Sequence, residues 1–433
     1  MSPTFASLSI YNYRLFAAGA LVSNTGTWMG RVAQDWLVLT ELAPSTSVAP
    51  PVALGIVTGL QFAPLALFAP VGGMIADRFP KRRILFATQS AMALTSLLTG
   101  VLVVTGAVQL WHIYLLAFIQ GVATALDNPA RQTFVSELVP HESLSNAVGL
   151  NSASFNAARL IGPGVAGLVI AAVGTGPAFF VNTLSFVAVL FALWRMRAGE
   201  LNPGPRLPRG KGQIREGVRY VRGRPDIMLI MVLVFVLGTF GMNFQLTTAL
   251  MATAVFHKGA GAYGLLGSIM AVGSLSAALL SARRPHPRLR ILLVALAAFV
   301  VASAAAALAP SYLWFAVLLI PVGLSALTVL TTANSMVQLS VDPAMRGRVM
   351  ALYMAVFMGG TPLGSPLIGW IGAAWGPRWT IMVGSIATGL AVVGATLYLV
   401  RSENMHLRYH HAERPRLSVI RGEVVEPVPE MAN

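Results

Sequence analysis

Gly72-Gly73-Met74-Ile75-Ala76-Asp77-Arg78-Phe79-Pro80-Lys81-Arg82-Arg83 separates two long apolar segments, 52–75 and 84–105. A short loop with excess Lys and Arg is retained on the cytoplasmic side of a membrane. The loop therefore makes its neighbours membrane spans and sets their orientation. Composition agrees. Of 433 residues, 56% are hydrophobic and only 10% charged, against about 25% charged in soluble domains. About 20 apolar residues cross a bilayer core. These segments are too long and too uniformly apolar for barrel strands, which leaves helices.

Working outward, the predicted spans are 15–39, 52–76, 84–105, 111–135, 144–173, 177–197, 227–251, 261–282, 289–309, 312–337, 347–375 and 378–400. The chain reads as an all-α membrane protein with twelve transmembrane helices and both termini in the cytoplasm. With Arg131 counted at the cytoplasmic end of its helix, all basic residues except Lys258, Arg378, Arg31 and Arg159 fall in segments read as cytoplasmic. The net charge of +15 is thus a topology signal and not a nucleic-acid footprint. Arg outnumbers Lys heavily, as in chains from GC-rich bacterial genomes, and the expected location is a bacterial inner membrane. The first apolar segment carries internal charge and no convincing cleavage site, so it is expected to be helix 1 and not a signal peptide. With no cysteine, disulfides and thiolate metal sites are excluded. The seven histidines form no metal or nucleophile constellation in the spans, and no G-x-x-x-x-G-K-[ST] loop is present, so an enzyme or self-contained ATP pump is not expected. No cofactor is expected.

Four segments follow: a six-helix half (1–197), a linker (198–225), a second six-helix half (226–400) and a polar tail (401–433) expected to be disordered. In the linker, Ile214, Val218 and Val221 share one helical face and Arg215, Arg219 and Arg222 another, which suits a helix on an anionic leaflet. The halves repeat. Ile161-Gly162-Pro163-Gly164-Val165-Ala166-Gly167, ending at Gly174, aligns with Leu363-Gly364-Ser365-Pro366-Leu367-Ile368-Gly369, ending at Gly376. A parallel repeat of six-helix halves places a substrate path between them.

Gly73, Asp77, Arg78, Lys81 and Arg82 fit the pattern G-x-x-x-D-R-x-x-[RK]-[RK], with Pro80 where Gly is usual. On these residues the chain resembles the major facilitator superfamily of transporters. Asn12-Tyr13-Arg14-Leu15-Phe16, Trp28-Met29, 32–39 and Asp127-Asn128-Pro129-Ala130-Arg131 resemble the branch holding bacterial drug exporters and the enterobactin exporter. The resemblance implies that Asp77 acts at the cytoplasmic start of helix 11 and that Asp127, with Lys81 or Arg131, completes a cytoplasmic lock. The alternative for Asp127 is a cap on a turn broken by Pro129. Gly162, Pro163 and Gly167 are similar to the exchanger motif of helix 5, a tight packing element. Many proton-coupled members carry an Arg three residues before a Gln-Gly pair in helix 4. Here the pair is Gln120-Gly121 and that position is Ala117, so coupling through that Arg is not implied.

Between Asp226 and Asp342 there is no Asp or Glu, and the next is Glu403. A proton site on a buried carboxylate must then lie in the N-terminal half, on Asp35 or Asp127. Arg31 and Asp35 are i and i+4 on helix 1 and share a face. A charge at the bilayer centre costs roughly 2.5–3.5 kcal/mol, so both should face a cavity, each other, or Arg159. Asp35 lies about 30 Å along a straight helix from Arg14, near the outer edge of the core, so a proton-coupling site and an outer gate are both open readings. Asn24, Trp28, Gln61, Gln120 and Asn156 from one half, and Asn243, Gln245, Asn334, Gln338 and Tyr353 from the other, are candidates for the cavity wall. Few charges favour amphipathic or lipophilic molecules, with Arg31 and Arg159 leaving room for an anionic group. The expected function is proton-coupled efflux of drug-like or secondary-metabolite molecules by a functional monomer. A siderophore exporter, or a uniporter or importer of the same fold, is the alternative. A non-transporting scaffold or sensor is disfavoured. The second-half counterpart of the opening loop, 281–290, keeps Arg283, Arg284, Arg288 and Arg290 but has no Asp.

Overall fold

The apolar segments become helices because backbone N–H and C=O groups have no water to bond in lipid. The computed structural model describes residues 3–202, 213–282, 287–342, 345–402, 406–409 and 417–420. The first half comprises α1 (Tyr11–Leu37), α2 (Pro50–Arg78), α3 (Lys81–Val104), α4 (Leu110–Leu138), α5 (Leu144–Val173) and α6 (Thr175–Arg195). A short helix, α7 (Gln213–Arg222), precedes the second half. That half comprises α8 (Pro225–Val236), α9 (Phe244–Leu250), α10 (Ala260–Ala282), α11 (Leu289–Ala307), α12 (Tyr312–Ser340), α13 (Arg346–Trp375) and α14 (Pro377–Ser402). α8 and α9 with their π turns form one span. Among the described residues, eleven helices satisfy the length and apolarity of a span. α1 is the twelfth. Its 27 residues reach roughly 40 Å, but Ser23, Asn24, Arg31, Gln34 and Asp35 make it the most polar. Lipid-side positions such as Leu168, Leu184, Val301, Leu313 and Leu390 are exposed.

Span seven is not the continuous helix expected over 227–251. Wide π turns at Leu237–Gly241 and Met251–Val255 flank α9, and residues 242–243 leave the helix. Asn243 repairs the break. Its Nδ2 donates to the Thr239 carbonyl at 2.8 Å, and its Oδ1 accepts from Ser365 of α13 at 2.8 Å.

α1 packs on α5 and α6, α2 on α4, and α3 on α4 and α6. In the second half α10 packs on α12, α11 on α12 and α14, and α13 on span seven. Two pairs make most of the contact between the halves, α2 with α13 and α5 with α10, and α9 also touches α1 and α2. The internal repeat holds in space. Gly162 meets Thr25 and Trp28 of α1, and its counterpart Gly364 meets Thr239 of span seven. Gly167 meets Ala260 and Gly261 of α10, and its counterpart Gly369 meets Pro51 and Gly55 of α2. Gly174 and Gly376 end α5 and α13 at φ 86° and 98°, a region that favours glycine.

α7 lies in the second part of the linker. It packs on α8 and the start of α13: Val221 is buried, Glu216 pairs with Arg348, and Tyr220 donates to Asp342 at 3.3 Å. The first part of the linker, 203–212, lies outside the described residues, as do Arg283 and Arg284. In the tail, expected to be disordered, His406–Tyr409 pairs antiparallel with Leu417–Ile420; the other residues after 402 lie outside the described ones.

Candidate functional site

Two ends of the bundle differ in charge. The end with Gly72–Arg83 is basic, and the end with the α2, α6 and α10 starts is neutral. At the basic end Asp77 and Arg78 are exposed. Gly72 approaches Ala125 and Pro129 of α4, so it, and not Gly73 alone, allows α2 to lie close to α4. Lys81 pairs with Glu137, where the sequence had offered Asp127. Arg82 donates to the Leu193 and Trp194 carbonyls at 2.8 and 3.1 Å, groups that α6 cannot satisfy internally.

Asp127 is buried inside α4, which runs on through Pro129. The broken-turn alternative is therefore overturned. Asp127 accepts from Thr88 (2.7 Å), Gln89 (2.8 Å) and Arg131 Nε (2.8 Å), and Ser23 of α1 donates to Gln89 at 3.1 Å. The network joins α3 and α4 on one carboxylate and reaches α1 through Gln89. Removing one member of a buried ion pair costs about 3–5 kcal/mol. Asp127→Ala is therefore expected to lower the thermal unfolding temperature in detergent markedly, and Lys81→Met less, since Lys81 reaches solvent.

The halves are sealed in the neutral part. Across the seam, Gly264 of α10 lies against the Pro163 carbonyl and Gly167 of α5, and Gly267 against Pro163. On the other side Gly55 and Gly59 of α2 lie against Ser365, Pro366 and Pro362 of α13. Ser268 donates to the Leu160 carbonyl at 2.6 Å. At this closed end Asp35, buried in α1, accepts 2.9 Å from the hydroxyl of Tyr263 of α10, and Trp36 stacks on Tyr263 with centroids 6.4 Å apart.

Arg31 does not close an ion pair with Asp35. Its guanidinium lies 5.0 Å from the Trp28 ring and 5.3 Å from the Phe62 ring, and that of Arg159 lies 5.5 Å from Trp28. Phe155 meets Trp28 edge-on at 6.2 Å. Arg159 lines a small pocket with Met242, Phe244, Met270 and Ser274, bounded by Leu330. Leu330 also borders a cavity of about 310 Å³ with Asn334, Tyr353, Met354 and Phe357. That is the lower end of the range for small-molecule sites, and it lies toward the basic end.

Of the wall candidates, Asn334 and Tyr353 meet at this cavity, and Gln338 bonds Asn334. Trp28 joins the arginine cluster. Asn156 donates to its own helix at Ser152. Asn243 serves the span-seven break, and the Gln245 carbonyl sits 3.5 Å from the Tyr263 hydroxyl. Gln61 is buried on α2, and its carbonyl faces Gly121 beside Gln120 of α4; Asn24 is half-buried on α1. Glu137, Tyr263 and Phe62 take part without having been singled out in the sequence.

Residues 2–422 match the family model described as "Transmembrane secretion effector". The staphyloferrin A transporter of Staphylococcus aureus is 30% identical over 182 residues, 42% of this chain and 44% of that protein. The match spans less than half of that relative's length. The enterobactin exporter EntS of Escherichia coli K12 is 26% identical over 342 residues, 78% of this chain and 80% of its own. The macrolide efflux protein A of Streptococcus pyogenes is 26% identical over 131 residues, 30% of this chain and 31% of its own. In fold, the chain is similar to a bacterial homologue of the human lysosomal transporter Spinster in an inward-facing, unoccupied conformation. The TM-score is 0.72 at 15% identity, covering 92% of this chain and 97% of the other. A D-xylose–proton symporter gives 0.67 at 13% identity, covering 88% and 96%.

Proposed function

The chain belongs to the transmembrane secretion effector family of the major facilitator superfamily, and on that premise we propose that it is a secondary active exporter of small organic molecules of the drug or secondary-metabolite kind, siderophores included. The observation that carries the reading is the seam. Two six-helix halves meet through Gly and Pro at the neutral end, while a cavity lies between α12 and α13 toward the basic end. Rocking one half on the other would expose the cavity to alternate sides. Named exporters among the relatives support the direction.

In this reading the protein sits in a bacterial inner membrane as a functional monomer, with the basic end and both termini in the cytoplasm. Residues 1–197 and 226–400 are the moving halves, and 198–225 tethers them. Gly73, Asp77, Arg78, Lys81, Asp127 and Arg131 belong to the cytoplasmic face that would close as a lock in the outward-facing state, with the Lys81–Glu137 and Asp127–Arg131 pairs bracing that face within the first half. The state described above, sealed at the neutral end, is then inward-facing. Protons supply the driving force by antiport. One proton crossing 100 mV releases about 2.3 kcal/mol, enough to hold roughly a 50-fold gradient, since about 1.4 kcal/mol is tenfold.

The test is transport in proteoliposomes with an imposed pH gradient, following a fluorescent dye, a macrolide and a catecholate siderophore. At least one should move against its gradient and stop when a protonophore collapses the pH difference. Movement indifferent to pH would make the protein a uniporter. If none of the three moves, the exporter reading fails.

A further inference from the structure

We infer that Arg31 and Arg159, set around Trp28, form a binding site for the acid group of an organic anion. The inference rests on the exporter reading and names the class of its cargo. Two guanidinium groups share one indole ring. Among the described residues no carboxylate oxygen lies within the 4.0 Å ion-pairing distance of either. The nearest acid on the same helix face, Asp35, is held by Tyr263 from the opposite half, and Glu41 accepts from Thr175 at 2.8 Å. Two fixed cations thus face one carboxylate already engaged elsewhere, in a region where an uncompensated charge is costly.

A second observation is independent of charge counting. Arg31 Nε is buried and has no hydrogen-bond partner. A buried donor without a partner costs about 1–3 kcal/mol, more when charged. A ligand oxygen that completes it recovers that cost. The guanidinium fork is planar and matches two carboxylate oxygens at once. Trp28, Phe62 and Phe155 offer ring faces beside the charges, and Arg159 also borders the pocket with Met242 and Phe244. The chemistry fits an aromatic carboxylic acid: acid group on the arginines, ring on the aromatic wall. A lipophilic cation would meet two like charges and aromatic faces already covered by arginine.

The experiment uses the purified full chain in nanodiscs and three probes of one shape, 1-naphthoate, 1-naphthylmethanol and 1-naphthylmethylammonium, titrated by calorimetry. The acid should bind at least tenfold more tightly than the alcohol, and the ammonium most weakly. Arg31→Gln and Arg159→Gln should each reduce the acid preference to threefold or less without changing elution volume, and Arg159→Lys should keep part of it. Equal affinity for acid and alcohol in the unaltered chain overturns the site, as does absence of binding to both. A preference that survives in the double Gln variant also overturns it. The same probes in proteoliposomes separate the two readings. Dye transport without acid preference removes this site and leaves export standing. Acid preference without transport of any probe does the reverse.

Discussion

Gly264→Leu is expected to stop transport while leaving both halves folded. A side chain at this position runs into the Pro163 carbonyl and Gly167 on the opposite half. Overpacking costs about 1–3 kcal/mol. Here the cost falls on the sealed state alone, because the two surfaces separate when the neutral end opens. A difference of that size shifts the ratio of states roughly 5–150-fold. Gly364→Leu is the contrasting variant. Gly364 lies against Thr239 within its own half, so its cost falls on both states and lowers the unfolding temperature instead. The absence of cysteine makes a single reporter thiol unambiguous. Trp36→Cys, placed where Trp36 stacks on Tyr263 across the seam, should react with a membrane-impermeant maleimide several-fold faster in the Gly264→Leu background. An unchanged labelling rate together with an unchanged transport rate would show that the α5–α10 contact is not a joint that opens.

Part of the seam was legible in sequence because close approach of helices demands small residues, and the demand recurs in each half. Gly167 and Gly369 meet the opposite half, while Gly162 and Gly364 serve packing inside their own halves and Gly174 and Gly376 end their helices. The spans were legible because lipid imposes apolarity on every outward position. Span seven was misread as continuous. Its apolar run has no change of period at the break, and only Gly238, Gly241 and Asn243 mark it. Partner choice was less legible. Lys81 finds Glu137, which follows the predicted end of span four and had been counted with the loop. Asp35 finds Tyr263, an aromatic residue in an apolar helix that nothing local distinguishes. Both pairings depend on which helices face each other, and that is fixed by the packing of the whole bundle. The arginine cluster was half legible: charges in spans must avoid lipid, but their shared perch on Trp28 needed α1 and α5 side by side.

Asp35→Asn is expected to lose pH-driven transport by tenfold or more while still exchanging substrate for substrate with no gradient. Tyr263→Phe is expected to keep pH-driven transport. Tyr263→Phe removes the donor of the cross-half bond and keeps the carboxyl group, whereas Asp35→Asn keeps an oxygen that can accept from Tyr263 and removes the group able to carry a proton. A hydrogen bond to a charged group contributes about 1.5–3 kcal/mol, and all of it is forfeited when the neutral end opens. Asp35 is then exposed to the opposite side of the membrane, free of Tyr263, in the state where a proton from outside can reach it. Resealing the seam buries it again. Gate and proton site are therefore alternatives only if the bond alone matters, and the pair of variants tells them apart. Loss of pH-driven transport in Tyr263→Phe, with Asp35→Asn unimpaired, would make the bond itself the working part and Asp35 a gate. Full pH-driven transport in Asp35→Asn would move the proton site elsewhere. The chain carries no Asp or Glu between Asp226 and Asp342, so the buried carboxylates left in the described helices are Asp127, already held by Thr88, Gln89 and Arg131, and Glu137, paired with Lys81.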